Sequence, residues 1–281
     1  MNNTKSERQG AESPKLSFMS ANFLGREKNY RDVEGFGEGN TSLRAAFSPV
    51  ETYAERIDGL FAEIAAMGYR GVDLWLAHCH PDWATERHVA GLLEASERHG
   101  VRIASLAGGL YGTLEDMEKT FRLAGWIGSP LLGMWCSALP DEIQALSAIL
   151  DRHDLRLAFE NHPKEPTPAI VLEKTGHGKY PRIGSCFDTG WWGTHDYPVL
   201  QALEELKDTL LLVHLKNVKA AGAHDAARWD EGCLDLKPVV ARLKHSGYSG
   251  WMSLEYEPFD HDPTEECRRF RKVVETWWKE A

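Results

Sequence analysis

Four short apolar runs each stop at a side chain able to bind a metal ion. They read Ala-Phe-Glu160-Asn-His-Pro, Ser-Cys-Phe-Asp188-Thr-Gly, Leu-Val-His214-Leu-Lys-Asn and Met-Ser-Leu-Glu255-Tyr-Glu. Three carboxylates gathered in one place repel one another and raise their own pKa values unless a cation lies between them. Three oxygen donors and one imidazole suit a single divalent ion. Mn²⁺ is the first expectation, and Mg²⁺, Co²⁺ and Zn²⁺ are alternatives that coordination geometry must separate.

The elements that must bring these residues together follow from the pattern of the chain. Apolar, β-branched or aromatic runs at 16–22, 71–77, 102–107, 131–136, 155–160, 182–188, 210–214 and 251–255 read as strands. Helical periodicity fills the intervals at 53–67, 86–99, 114–127, 141–152, 168–175, 197–207, 236–245 and 264–279. Gly128 and Gly247 stand just past two of these helices, where a left-handed residue ends the turn. Eight strand–helix units in alternation predict an α/β fold, a (β/α)8 TIM barrel in a single domain over 15–281. An open doubly wound sheet is the main alternative, but no Gly-x-Gly-x-x-Gly follows a strand. Residues 1–14 are polar and predict a disordered tail.

Catalytic groups of a barrel come from the C-terminal ends of its strands. Strand parity sharpens the choice, since alternate residues share a face. Ala158 and Glu160 oppose Leu157 and Phe159, and Cys186 and Asp188 oppose Phe187. Leu212 and His214 oppose Leu211 and Val213. The four ligand candidates therefore belong to the interior face. Asp73, in mid-strand, is set aside, and Glu257 is kept as a substitute ligand. The irregular stretches 25–49 and 220–232 follow strands and should lie over the mouth, the first as a lid.

A formal net charge of −10 offers no global attraction for phosphate backbones, so nucleic acid is not an expected partner. Five cysteines without a Cys-x-x-Cys pair read as reduced thiols. No apolar run approaches the roughly 18 residues that cross a bilayer, and the first residues lack a secretory apolar segment. These features predict a cytoplasmic protein with no membrane partner. A homo-oligomer is left open, with Trp277 and Trp278 placed to pack on the barrel or a neighbour.

The motifs Glu160-Asn161-His162-Pro163, Asp188-Thr189-Gly190, His214-Leu215-Lys216-Asn217 and Gly250-Trp251-Met252-Ser253-Leu254-Glu255 resemble those of the sugar phosphate isomerase/epimerase family, the xylose-isomerase-like barrels. The resemblance implies metal ligation by Glu160, Asp188, His214 and Glu255. It also gives Glu160 and Glu255 a second role as an acid/base pair acting on a small carbohydrate. The chemistry implied is proton abstraction beside a carbonyl through a metal-stabilised cis-enediolate, with the proton returned to another face or carbon. The product is an epimer or isomer of a sugar or keto-sugar. Loss of a β-hydroxyl from the same enediolate gives a dehydratase of a keto-sugar or inosose instead.

His162 and Lys216, which share parity with neighbouring ligand candidates, are expected to bind substrate. Trp75 and Trp191 are expected to supply aromatic walls, and His78, in His-Cys-His-Pro, to contact substrate at the rim. Arg228 stands where some relatives place a substrate-binding Arg, although the usual Gly-x-Gly there is imperfect. A family-two AP endonuclease wants a His where this chain has Trp191. A non-catalytic sugar-binding or accessory barrel is the other rival.

Overall fold

The computed structural model describes residues 13–281. The tail predicted over 1–14 lies, but for its last two residues, outside the described residues. Each of the eight apolar runs forms a strand. They are β1 (Lys15–Met19), β2 (Gly71–Trp75), β3 (Arg102–Leu110), β4 (Leu131–Cys136), β5 (Arg156–Glu160), β6 (Ile183–Asp188), β7 (Leu210–Leu215) and, after a two-strand hairpin of β8 (Asn217–Val218) and β9 (Ala226–Ala227), β10 (Trp251–Leu254). The eight long strands pair in parallel and close in the order β1-β10-β7-β6-β5-β4-β3-β2. Helices α2 (Val50–Ala66), α3 (Glu86–His99), α4 (Leu114–Trp126), α5 (Ile143–Arg152), α6 (Pro168–Lys174), α8 (Val199–Leu206) and α9 (Lys237–His245) lie between successive strands, and α10 (Thr264–Glu280) follows the last. The fold is a TIM barrel, as the alternation predicts.

Two helices escaped the sequence pattern. Helix α1 (Phe36–Phe47) occupies the stretch expected to be an irregular lid, and α7 (Thr189–Thr194) starts directly from the end of β6. Leu43 and Phe47, four residues apart, carry the buried stripe of α1, while Gly35, Gly37 and Gly39 mask it in the sequence. Gly39 is needed for close approach, because a Cβ there would sit 2.7 Å from the Leu24 carbonyl oxygen.

The core has two parts. The larger, including Phe18, Phe61, Phe121, Phe159 and Phe187, lies between strands and helices. A small inner cluster of Leu131, Ala158, Cys186 and Leu212 fills the barrel itself. Ala158, Cys186 and Leu212 are the residues two positions before Glu160, Asp188 and His214, so the inner face is the one that parity assigns to the ligand candidates. No helix among the described residues is long and apolar enough to cross a membrane.

Candidate metal centre

Glu160, Asp188, His214 and Glu255 are all buried, and one ligand atom from each lies within 4.8 Å of one from every other. Strand register produces this. Asp188 and His214 are direct partners across β6 and β7, and Glu160 pairs with Cys186, one interior position below Asp188. Nδ1 of His214 lies 3.2 Å from both Oε1 of Glu160 and Oε2 of Glu255.

Asparagines stitch the strand ends at fixed height. Oδ1 of Asn161 accepts from the Asp188 backbone N–H at 3.1 Å, and its Nδ2 donates to the Asp188 carbonyl at 3.3 Å. Asn22 accepts from the Tyr256 N–H at 2.8 Å and donates to the Leu254 carbonyl at 3.1 Å. The Asp-Thr-Gly motif does the same for β7. Thr189 Oγ1 donates to the Lys216 carbonyl at 2.6 Å and accepts from the Lys216 N–H at 2.8 Å. Gly190 leaves room for the Lys216 stem, which a Cβ would meet at 2.7 Å.

The donor set fits a cation. Oδ1 of Asp188 caps α7 by accepting from the Trp191 N–H at 3.1 Å, whereas Oδ2 is buried with no hydrogen-bond partner. A buried carboxylate oxygen left unpaired is costly unless a cation or proton satisfies it. Burial, reinforced by the nearby Glu255, holds the Asp188 carboxyl well above the usual range. Burial also opposes ionisation of Glu160 and Glu255. His162 and His214 nonetheless bring Glu160 below the usual range, and Lys216 and His214 do the same for Glu255. Without a cation the cluster therefore divides its charge unevenly, and a divalent ion removes the conflict.

Asp73, set aside in the sequence, and Glu257, kept there as a substitute ligand, are both built into the site. Asp73 is fully buried at the barrel interior, its Oδ2 accepting from His214 Nε2 at 2.9 Å and its Oδ1 from Ser105 Oγ at 2.6 Å. With Nε2–H donated to Asp73, Nδ1 presents its lone pair to the cluster. Glu257 does not join the four. It binds Lys216 Nζ at 2.7 Å, and the same ammonium lies 2.5 Å from Glu255 Oε1. Lys216 is itself buried. Burial raises the Glu257 carboxyl from 4.5 to about 7, with Lys216 opposing.

Above the cluster opens a cavity of about 960 Å³. Glu160 and Glu255 line it together with His162, Lys216, Trp75 and Trp191, whereas Asp188 and His214 stay behind the wall. His162 Nε2 is 4.0 Å from Glu160 Oε2, and its ring tilts against Trp191 at 5.3 Å. His224, unremarked in the sequence, also lines the cavity and stacks on Trp191 at 3.5 Å. Two residues expected to contact substrate lie off the cavity wall. His78 is packed edge-on against Phe47 and bonded to Ser20 Oγ at 3.1 Å, and burial holds it down at about 3, neutral and away from the cavity. Arg228 lies beside the cavity rather than on its wall and pairs with Glu231.

Comparison with known proteins agrees with this architecture. A curated inosose dehydratase of Salmonella agona is 26% identical over 157 residues, covering 49% of this chain and 52% of that protein. The match thus spans about half the length of the curated relatives. A xylose isomerase-like TIM barrel protein from Mycobacterium smegmatis, solved in complex with magnesium, superposes with a TM-score of 0.68 at 13% identity, covering 95% of this chain and 97% of the other. The apo 3-keto-D-glucoside 4-epimerase of E. coli gives 0.64 at 17% identity, with coverage of 82% and 96%. These two likenesses are of fold. The family model described as xylose isomerase-like TIM barrel matches residues 61–273, and the chain belongs to that family.

Proposed function

We propose that this chain is a divalent-metal-dependent isomerase or epimerase of a sugar or keto-sugar, with Glu160 and Glu255 as its proton-transfer pair. One observation carries the assignment of the pair. Of the four clustered side chains only these two line the cavity, while Asp188 and His214 are wholly buried behind it. The buried pair can hold an ion but cannot reach a substrate carbon. The two glutamates can do both.

Glu160, Asp188, His214 and Glu255 would hold the ion, with Mn²⁺ the first candidate, and when bound it supplies Lewis-acid polarisation of adjacent carbonyl and hydroxyl oxygens. Glu160 or Glu255 takes the proton from the carbon between those oxygens, and the other delivers one to the opposite face or neighbouring carbon. Ion pairing with His162 and His214 for Glu160, and with Lys216 and His214 for Glu255, holds both carboxylates in the ionised form a base needs, against the opposing effect of burial. Lys216 fixes Glu255 through its 2.5 Å contact. His162 and Trp191 offer a donor and an aromatic face to the sugar.

A second reading, loss of a β-hydroxyl, is favoured by the Lys216–Glu257 pair, which faces the cavity beside Glu255 and provides a further proton source. The inosose dehydratase relative points the same way. Incubating the Mn²⁺-loaded protein in D₂O with a panel of ketoses, keto-acids and inososes tests both. Deuterium beside a carbonyl in a product that keeps every oxygen supports isomerisation or epimerisation, and a product short of one water, its β-hydroxyl having left, selects the dehydratase. No exchange in any candidate would remove the enolisation mechanism.

A further inference from the structure

The cavity is larger and more aromatic than a lone monosaccharide requires. Its volume of about 960 Å³ lies at the upper end of the roughly 300–1,000 Å³ range that encloses drug-sized ligands. The metal-ligating residues occupy one part of its wall, on the ends of β5 to β10. The opposite part is built by Trp75, Phe36 and Tyr111. In the closed strand order β2 and β6 are diametrically opposed, so Trp75 at the end of β2 faces Trp191, just past β6, across the mouth.

Trp75 is held as a platform. Its Nε1 donates to Asn40 Oδ1 on α1 at 2.7 Å, and Phe36 from the start of the same helix meets its ring edge-on at 5.2 Å. Phe36 is 42% exposed and Tyr111 68% exposed, two of the five exposed large hydrophobic side chains among the described residues. Apolar surface left in a cavity wall beside a fixed indole marks a place for an apolar ligand group.

The charge of the cavity narrows the ligand further. Two lysines and six carboxylates line it, and Lys216 is already paired with Glu255 and Glu257. Even with a divalent ion in place, negative charge exceeds positive, so a phosphate dianion would be repelled. Building on the metal-dependent sugar chemistry proposed above, we propose that the substrate is an uncharged keto-glycoside. Its sugar ring sits over Glu160 and Glu255, and its aglycone lies in an outer subsite formed by Trp75, Phe36 and Tyr111.

Calorimetric titration of the Mn²⁺-loaded full chain tests this with three probes: phenyl D-glucoside, methyl D-glucoside (both anomers of each) and D-glucose 6-phosphate. The phenyl glucoside should bind about ten-fold more tightly than the methyl glucoside. Tyr111→Ala and Phe36→Ala should each shrink that preference while leaving the methyl glucoside and Mn²⁺ affinities unchanged. Equal affinity for the two glucosides overturns the subsite. So does a preference that survives both substitutions, tightest binding by the phosphate, or no binding by either glucoside. The subsite and the enolisation reading fail separately. Absent deuterium exchange with an intact phenyl preference removes only the chemistry, and exchange in free ketoses without that preference removes only the subsite.

Discussion

Asp73 Oδ2 lies 2.9 Å from Nε2 of His214, and this buried pair decides which imidazole nitrogen faces the three glutamate and aspartate ligand candidates. Ser105 fixes the other oxygen of Asp73, so the chain Ser105–Asp73–His214 runs from the barrel interior to the cluster. Hydrogen-bond partners of this kind orient a ligand ring and raise its basicity.

Asp73→Ala should therefore weaken metal binding by about 10- to 100-fold. Asp73→Asn, which retains an acceptor, should lose less. Titration with Mn²⁺ followed by calorimetry gives the comparison. Unchanged affinity in Asp73→Ala, with a native circular dichroism spectrum, would mean that the pair serves packing alone.

Among the described residues, Lys216 is the ammonium that bonds both Glu255 and Glu257. Replacing it with Met leaves two buried carboxylates facing each other without their cation. A loss of about 3–5 kcal/mol of stability is expected, as for other buried pairs broken on one side. Urea denaturation of the metal-free protein measures it. A smaller loss in the presence of Mn²⁺ would show the ion sharing the neutralisation.

Glu257 gives the metal-free protein a pH dependence of defined sign. Its carboxyl is raised on folding from 4.5 to about 7, so between those values the folded state holds a proton that the unfolded chain has released. That contribution to stability is complete below the unfolded value and is lost as pH rises through about 7. The slope is at most about 1.4 kcal/mol per pH unit. Denaturation midpoints from pH 5 to 8.5 should fall more steeply for the native chain than for Glu257→Gln. Parallel curves would remove Glu257 as the titrating group.

Glu160→Gln and Glu255→Gln each remove a base while keeping the shape of the side chain. Each should lower deuterium exchange by about 10²- to 10⁴-fold. If one variant still washes the proton out of the substrate without forming product, the two residues act on opposite sides of a shared intermediate. Full turnover in both would show that neither glutamate is the base, and sugar binding without turnover in the native chain would favour a binding barrel over an enzyme.

Much of the centre was legible because strand period and strand-end position are written locally. Glu160, Asp188, His214 and Glu255 each follow an apolar run, and their parity with Ala158, Cys186 and Leu212 reads directly as an interior face. Asp73 carried a signal too. It is a lone charge inside Gly-Val-Asp-Leu-Trp, in phase with Trp75, and such a charge must be paired when the strand is buried on both sides. Its partner is 141 positions away in the chain, and no local pattern names it. His224 reaches Trp191 through the two-residue strands β8 and β9, which are too short to leave a periodicity. That His78 and Arg228 lie off the cavity wall was not legible for a related reason. Residue type and loop position are shared by rim and packing residues, and only Phe47 and Glu231, their contacts in space, tell them apart.

The most direct test of the account is a titration of the metal-stripped chain with Mn²⁺, run beside Asp188→Ala and His214→Ala. One saturable ion per native chain is expected, with affinity lowered at least about 10-fold in each variant and folding retained. No saturable ion in the native chain, or equal affinity in all three proteins, would contradict a metal centre on Glu160, Asp188, His214 and Glu255.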